Sequence, residues 1–391
     1  MMKRNVLILL YVLIPVFCFI SCSKKSSDSI SQSLRIIPAG SAVSGSDTPA
    51  VMPGLWVNGT LSFLDIPENA SGGEIYDISV YEGVYYSAGI YYVPCPDDPQ
   101  YDCAQPAFWK NDKIHELPVQ STSGYGCSII VSQGKVYVAG MDGLSPVLWT
   151  DSVPVRLPLS DGAEGGTAYS IIKSDMDLYI GGSVWLNATD GHRPAYWKNG
   201  NLNMLGLGDA SEGGLRSITI SNGKIYTAGW VEKGSIKPVY WLDNNMNYLS
   251  DPDDGTIGMV FSLDVYGAKV YAAGFITEEN ESIFRPVLWN DGTKTLLSRL
   301  DETLGGVAWH VEVYGGKAYV SGGTGYADGT DEKRRACMWI DGTRIDLPTS
   351  GKKASAGMDS IFIPDSMKGD PVALDDPDLA TGFIIESITS Q

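Results

Sequence analysis

Histidine is scarce, basic charge is outnumbered, and no long apolar run occurs after the first twenty residues. The 391 residues include three histidines, His115, His192 and His310. None stands in a His-Glu-x-x-His spacing, which removes a common ligand set for zinc or copper enzymology. A Gly-x-Ser-x-Gly elbow, a phosphate loop and a Gly-x-Gly-x-x-Gly turn are also missing. Twenty-eight Lys and Arg stand against 46 Asp and Glu, a net charge of −18. That balance argues against nucleic acid and against docking on anionic lipid, because phosphate contacts need clustered cations. No cofactor is expected. Calcium is the one candidate, through Asp97-Asp98, Asp251–Asp254 and Asp370–Asp378, but none has the spacing of a known calcium loop, and solvated turns are the plainer reading.

The N-terminus carries Lys3 and Arg4, then an apolar run from Val6 to Ile20. That run is too short to span a bilayer and reads as a secretory signal. Phe19-Ile20-Ser21-Cys22 resembles the lipobox of bacterial lipoproteins, with Phe19 in place of the family's leucine. The resemblance implies removal of residues 1–21 and lipid attachment at Cys22. Cys18 is a poorer candidate, because Phe17 is too large for the cleavage position. A plain secretory signal ending nearby is the alternative. Several acyl chains, at roughly 0.8 kcal/mol per buried methylene, would anchor a domain firmly. Residues 22–51 are rich in Ser, Gly and Lys and read as a flexible tether. The expected location is the cell envelope, on the periplasmic side or the surface of an outer membrane.

One tryptophan pattern recurs seven times, at Trp56, Trp109, Trp149, Trp197, Trp241, Trp289 and Trp339. Asn or Asp follows each by two residues: Asn58, Asn111, Asp151, Asn199, Asp243, Asp291 and Asp341. Proline precedes six of them by three, and Ala336 takes that place in the seventh. Tyr stands three residues before Gly in six segments, from Tyr86/Gly89 to Tyr319/Gly322. Another strand-like run starts with Ser, once Asp77 and once His310, followed by alternating apolar residues such as Ile129/Val131. A unit of this length cannot bury its own apolar face and must stack on copies of itself. Residues 127–157 read as four strands joined by Gly and Asp turns.

The fold predicted is all-β: a seven-bladed β-propeller with four-stranded blades over residues 52–391. Six blades are complete. The N-terminal copy, Pro53–Ile66, supplies a third and fourth strand. The C-terminus supplies a first strand around Ile361–Ile363, with Gly382–Ile388 as candidate second strand. The last blade would then be closed by both chain ends, removing free sheet edges. The repeats resemble seven-bladed propellers of bacterial surface and periplasmic proteins and are loosely kelch-like. The Trp-Asp dipeptide of WD repeats is absent, and most second strands end in a single Gly where kelch repeats carry a pair.

Strand alternation puts constant turns on one face and variable loops on the other, and variable loops carry specificity. Gly140 to Pro146 is six residues, whereas Gly89 to Pro106 is seventeen. Trp185, Trp230 and Trp309 lie outside the repeat and map to the variable face. The residues heading the first strands also vary: Tyr76, Cys127, Tyr169, Arg216, Phe261, Trp309 and Asp359. With His192 and Arg193 they form a candidate pocket for a glycan, peptide or protein partner, rings stacking on apolar faces and charges fixing orientation. Channel plugging is the bland alternative for these rings. The function expected is a monomeric, lipid-anchored binding module. The alternative is a glycoside hydrolase or lyase using carboxylates near the channel, among them Asp77, Asp264 and Glu312, since such pairs leave no linear trace. Cys95 and Cys103 flank a short loop and are expected to form a disulfide. Cys127 and Cys337 read as small buried hydrophobes.

Overall fold

A computed structural model describes residues 36–44, 50–57, 59–186, 191–277, 283–329, 331–348 and 356–362. The signal segment, Cys22, the loop Asp370–Asp378 and Gly382–Ile388 lie outside the described residues. Among the described residues no helix is long and apolar enough to cross a membrane.

The chain forms seven four-stranded antiparallel sheets. Blade 1 runs outward through Gly72–Tyr81, Val84–Pro94, Asp102–Lys110 and Lys113–Glu116. Blades 2 to 6 repeat this order, with innermost strands Gly124–Ser132, Gly165–Ser174, Glu212–Ser221, Ile257–Tyr266 and Gly306–Tyr314. Each innermost strand touches the next around the ring. The fold is a seven-bladed β-propeller.

Blade 7 closes the ring with one change from expectation. Its order from the centre is Ala356–Phe362, Ile37–Val43, Val51–Val57 and Thr60–Phe63. The N-terminal side thus contributes three strands and the C-terminal side one. Residues 37–43, read from sequence as tether, form the second strand. They pair on one side with Val51–Leu55 and on the other with Ala356–Phe362. The physical reason is that both faces are covered: Ile37 and Ala39 are buried in the seam with blade 1 and Ala42 in the seam with blade 6.

The repeat residues now have separate tasks. All seven tryptophans are fully buried. Six donate Nε1–H to a backbone carbonyl of the preceding blade or of the segment leaving it: Trp109 to Asp65, Trp149 to Pro118, Trp197 to Pro158, Trp241 to Gly206, Trp339 to Ser298 and Trp56 to Pro348, at 2.7–2.9 Å. The indole therefore fills the seam between blades and bonds across it. The Asn or Asp two residues later takes a positive φ, 46–56° at six sites. Short polar side chains tolerate this left-handed turn. In five blades its Oδ1 also accepts from the first residues of the second strand, as Asp151 does from Val136 N–H at 2.9 Å. The carbonyl at the proline position accepts N–H from a buried leucine after the fourth strand in every blade, Leu64 through Leu347.

Buried apolar residues form seven clusters, one per seam. The seam joining the two chain ends to the ring is built like the others: Ala42 and Trp56 pack on Tyr319, Met338 and Leu347. Nearer the axis, the inner-strand Ser residues act as clips. Ser128, Ser170, Ser217 and Ser262 each accept N–H from the next blade, at Ile171, Ile218, Leu263 and Val311. Asp77 does the same for Ile129 at 2.9 Å.

Candidate functional site

Every innermost strand carries a β-bulge at the same point. In blade 1, Ile75 pairs with Gly89 and Asp77 with Ala88, leaving Tyr76 without a partner. The skipped residue is Cys127 in blade 2, Tyr169 in blade 3, Arg216 in blade 4, Phe261 in blade 5, Trp309 in blade 6 and Asp359 in blade 7. These are the seven variable residues singled out in the sequence. A bulge bends the strand and re-aims the extra side chain. Here the first six line one cavity of about 680 Å³ at the mouth of the channel. The side chain of Asp359 lies outside the described residues.

The repeat glycine belongs to this device. Opposite the residue before each bulge stands Gly89, Gly140, Gly182, Gly229, Gly274, Gly322 or, in blade 7, Gly40. At the first six, an added Cβ would run into a backbone carbonyl of the bulged strand. Close backbone approach, not backbone freedom, selects glycine there. Gly40 also shows what betrays the missed strand: Pro38-Ala39-Gly40 repeats the Ala-Gly ending of second strands such as Ala139-Gly140.

The cavity wall is mixed. Arg216 lays its guanidinium over the Tyr169 ring, 4.0 Å from the centroid. It makes no hydrogen bond or ion pair to any described residue. Phe261 and Trp309 contact each other with centroids 4.4 Å apart. Glu74, Tyr125 and Thr167 also line the cavity and escaped the sequence reading. Each lies two residues ahead of a bulge, so strand periodicity puts it on the same side. Arg334 joins from the third strand of blade 6, Asp331–Ile340. The Cys127 thiol is pushed up to about 12 by burial, against the pull of the nearby Arg216 charge. It stays protonated at neutral pH and is a poor nucleophile.

Carboxylates near the axis are mostly occupied. Asp77 accepts from Ser128 Oγ at 2.6 Å and from the N–H groups of Ile78 and Ile129. Asp264 accepts from Val265 and Val313 N–H, both at 2.7 Å. These two tie blades together. Glu74 is the one carboxylate among the described residues lining the mouth. It accepts from Tyr92 Oη at 2.8 Å and Tyr76 Oη at 3.3 Å. His310 takes the serine place in blade 6, its Nδ1 3.4 Å from Ser262 Oγ. No group of three or more His, Cys, Asp or Glu suited to a metal occurs among the described residues.

The other sequence candidates form a second group. Trp185, Trp230, His192 and Arg193, expected on the variable-loop face, lie in strands. Trp185 ends Asp177–Trp185, Trp230 sits inside Lys224–Glu232, and His192 opens His192–Lys198. The ladder extends because Trp185 pairs with His192 and Val184 with Arg193. His192 stands between the two indoles, 5.8 Å from Trp185 and 6.0 Å from Trp230. Arg193 Nη1 donates to the Ser211 carbonyl at 2.9 Å, and the His192 N–H bonds Glu212. These contacts pin blade 3 to blade 4, beside the cavity rather than in its lining. Cys95 and Cys103 are disulfide-bonded across the short 96–102 loop.

No protein-family model matches the chain, and no curated protein matches it. Solved structures do. An exo-1,5-α-L-arabinanase from a bovine ruminal metagenomic library is 14% identical over 59% of this chain and 99% of its own, with a TM-score of 0.33. Sucrose-6-phosphate hydrolase from Lactobacillus gasseri is 11% identical over 75% of this chain and 89% of its own, with a TM-score of 0.35. A β-fructofuranosidase from Bombyx mori is 12% identical over 74% and 89%, at 0.34.

Proposed function

We propose that the protein is a binding module whose ligand enters the mouth of the central channel. One observation carries the reading: seven bulges at equivalent points, with six described side chains lining one cavity. A device repeated in every blade, yet filled by a different residue each time, is what a scaffold needs to present a specific surface. Tyr76, Tyr169, Phe261 and Trp309 offer ring faces and Arg216 an unspent guanidinium. A glycan fits this lining better than an extended peptide strand, because ring faces rather than free strand edges are on offer. We place the module in the cell envelope, attached through Cys22.

A glycoside hydrolase or lyase is the second reading, favoured by Glu74 in the cavity wall. Glu74→Gln separates the two. An enzyme loses turnover of chromogenic glycosides while keeping affinity, and a binding module shows no turnover at all. The primary test is a glycan and peptide array with the wild type, Trp309→Ala and Arg216→Ala. Weakened binding in both variants is expected, and unchanged binding in both would remove the cavity from the argument.

A further inference from the structure

We infer that the cavity takes a sugar bearing a single carboxylate, laid on the Phe261–Trp309 pair with its acid group on Arg216. This deepens the reading above and rests on it. Arg216, Phe261 and Trp309 stand on three consecutive blades at the same bulge position, so they line one sector of the mouth. Arg216 is half-buried, its guanidinium carbon 4.0 Å from the Tyr169 ring centroid, and bonded to no described acceptor. A guanidinium over a ring can present its fork to a carboxylate in two parallel hydrogen bonds. No described protein group competes for its donors, so an incoming anion can take them. Beside it, two rings in contact, tilted by 47° to one another, provide an apolar wall on which one face of a pyranose can rest.

Charge sets the number of acid groups. The described lining holds two guanidinium groups, Arg216 and Arg334, and one carboxylate, Glu74. The whole chain carries −18. Surface fields fade over about 8 Å at physiological salt. A single carboxylate inside the mouth meets Arg216, whereas a polyanion draped over the rim meets the acidic surface. The ligand is therefore a uronic acid unit within an otherwise neutral glycan rather than a polyuronate. Phosphate would suit the charge of Arg216 but makes no use of the ring platform.

The test uses the full chain and four sugar probes: methyl glucoside, methyl glucuronide, the glucuronide methyl ester and methyl galacturonide. A peptide is added as its free carboxylate and as its amide. Calorimetry and tryptophan fluorescence report binding. At least one uronide should bind tenfold or more tighter than the glucoside and the ester. Arg216→Gln should abolish that preference, and Arg216→Lys should restore part of it, with melting temperatures unchanged. Equal binding of acid, ester and neutral sugar would overturn the acid assignment while leaving the cavity reading intact, provided Trp309→Ala still weakens them. Sugar binding indifferent to Trp309→Ala would defeat the cavity reading itself. A preference for the free peptide carboxylate, or no uronide binding, would overturn the proposal.

Discussion

At the scale of single residues, the seven tryptophans look alike in sequence but are not equivalent. Six indole N–H groups bond across a seam, whereas Trp289 Nε1 is buried without a partner. Trp241→Phe leaves the Gly206 carbonyl unpaired; Trp289→Phe removes a donor that had no acceptor. The first should cost roughly 1–2 kcal/mol more than the second, as read from urea midpoints at equal slope; equal costs would remove the seam bond from the account. Asp142 offers a pH test. Burial alone would raise its carboxyl, but hydrogen bonds from the Ser121 hydroxyl and the Gln120 and Ser121 N–H groups, with Arg156 nearby, hold it below the usual carboxylate range. A carboxyl depressed in the folded state stabilises above its unfolded value of about 3.9 and loses that contribution as pH falls through the folded value. Melting curves from pH 7 to pH 3 should show wild type exceeding Asp142→Asn at neutral pH. The gap should close below about pH 4, and a gap independent of pH would contradict the assignment.

At the scale of the strand pair, the bulge and its glycine are one unit. Gly274 has no positive φ, so the cost of Gly274→Ala is steric: the new methyl meets the Met259 carbonyl. Backbone cannot swing away as a side chain can. Gly274→Ala should destabilise by about 1–3 kcal/mol or more and shift Phe261, weakening any ligand that uses it. Gly292→Ala, at a turn with φ +80° and open space, should cost backbone strain of roughly 1–2 kcal/mol and leave binding untouched. Denaturation and ligand titration of the pair would check this, and intact binding in Gly274→Ala would break the link between bulge and site.

At the scale of the whole ring, stability is shared among seven seams and depends on the junction of the two chain ends. Ala356–Phe362 covers the inner edge of Ile37–Val43 and packs against the inner strands of blades 6 and 1. Deleting residues 356–391 uncovers that edge and opens a gap beside the channel. Exposed strand edges recruit other chains. The truncated protein should melt lower and associate on a sizing column, whereas an unchanged monomer would show that the junction contributes little. Much of this ring was legible beforehand. The Trp, Pro and Asn/Asp spacing is set by turns and seams that repeat locally, so counting them yields seven blades. The three-plus-one split was not legible, because the Ala39-Gly40 ending stands alone, far from the Ala356–Phe362 strand it pairs with.

The amino-acid order alone determined the repeat, the blade count, the disulfide pair and the seven variable positions, since each follows from contacts within one repeat or between like repeats. Only the tertiary structure decided which side chains share a cavity. Tyr76, Tyr169, Arg216, Phe261 and Trp309 meet because a bulge turns each toward the axis and ring closure brings blades from across the chain together. Trp185, His192, Arg193 and Trp230 part from them because ladder pairing extends the strands that carry them, and the Arg193 guanidinium and the His192 N–H bond from blade 3 to blade 4. Direction and closure are properties of the assembled ring, and no single repeat encodes either.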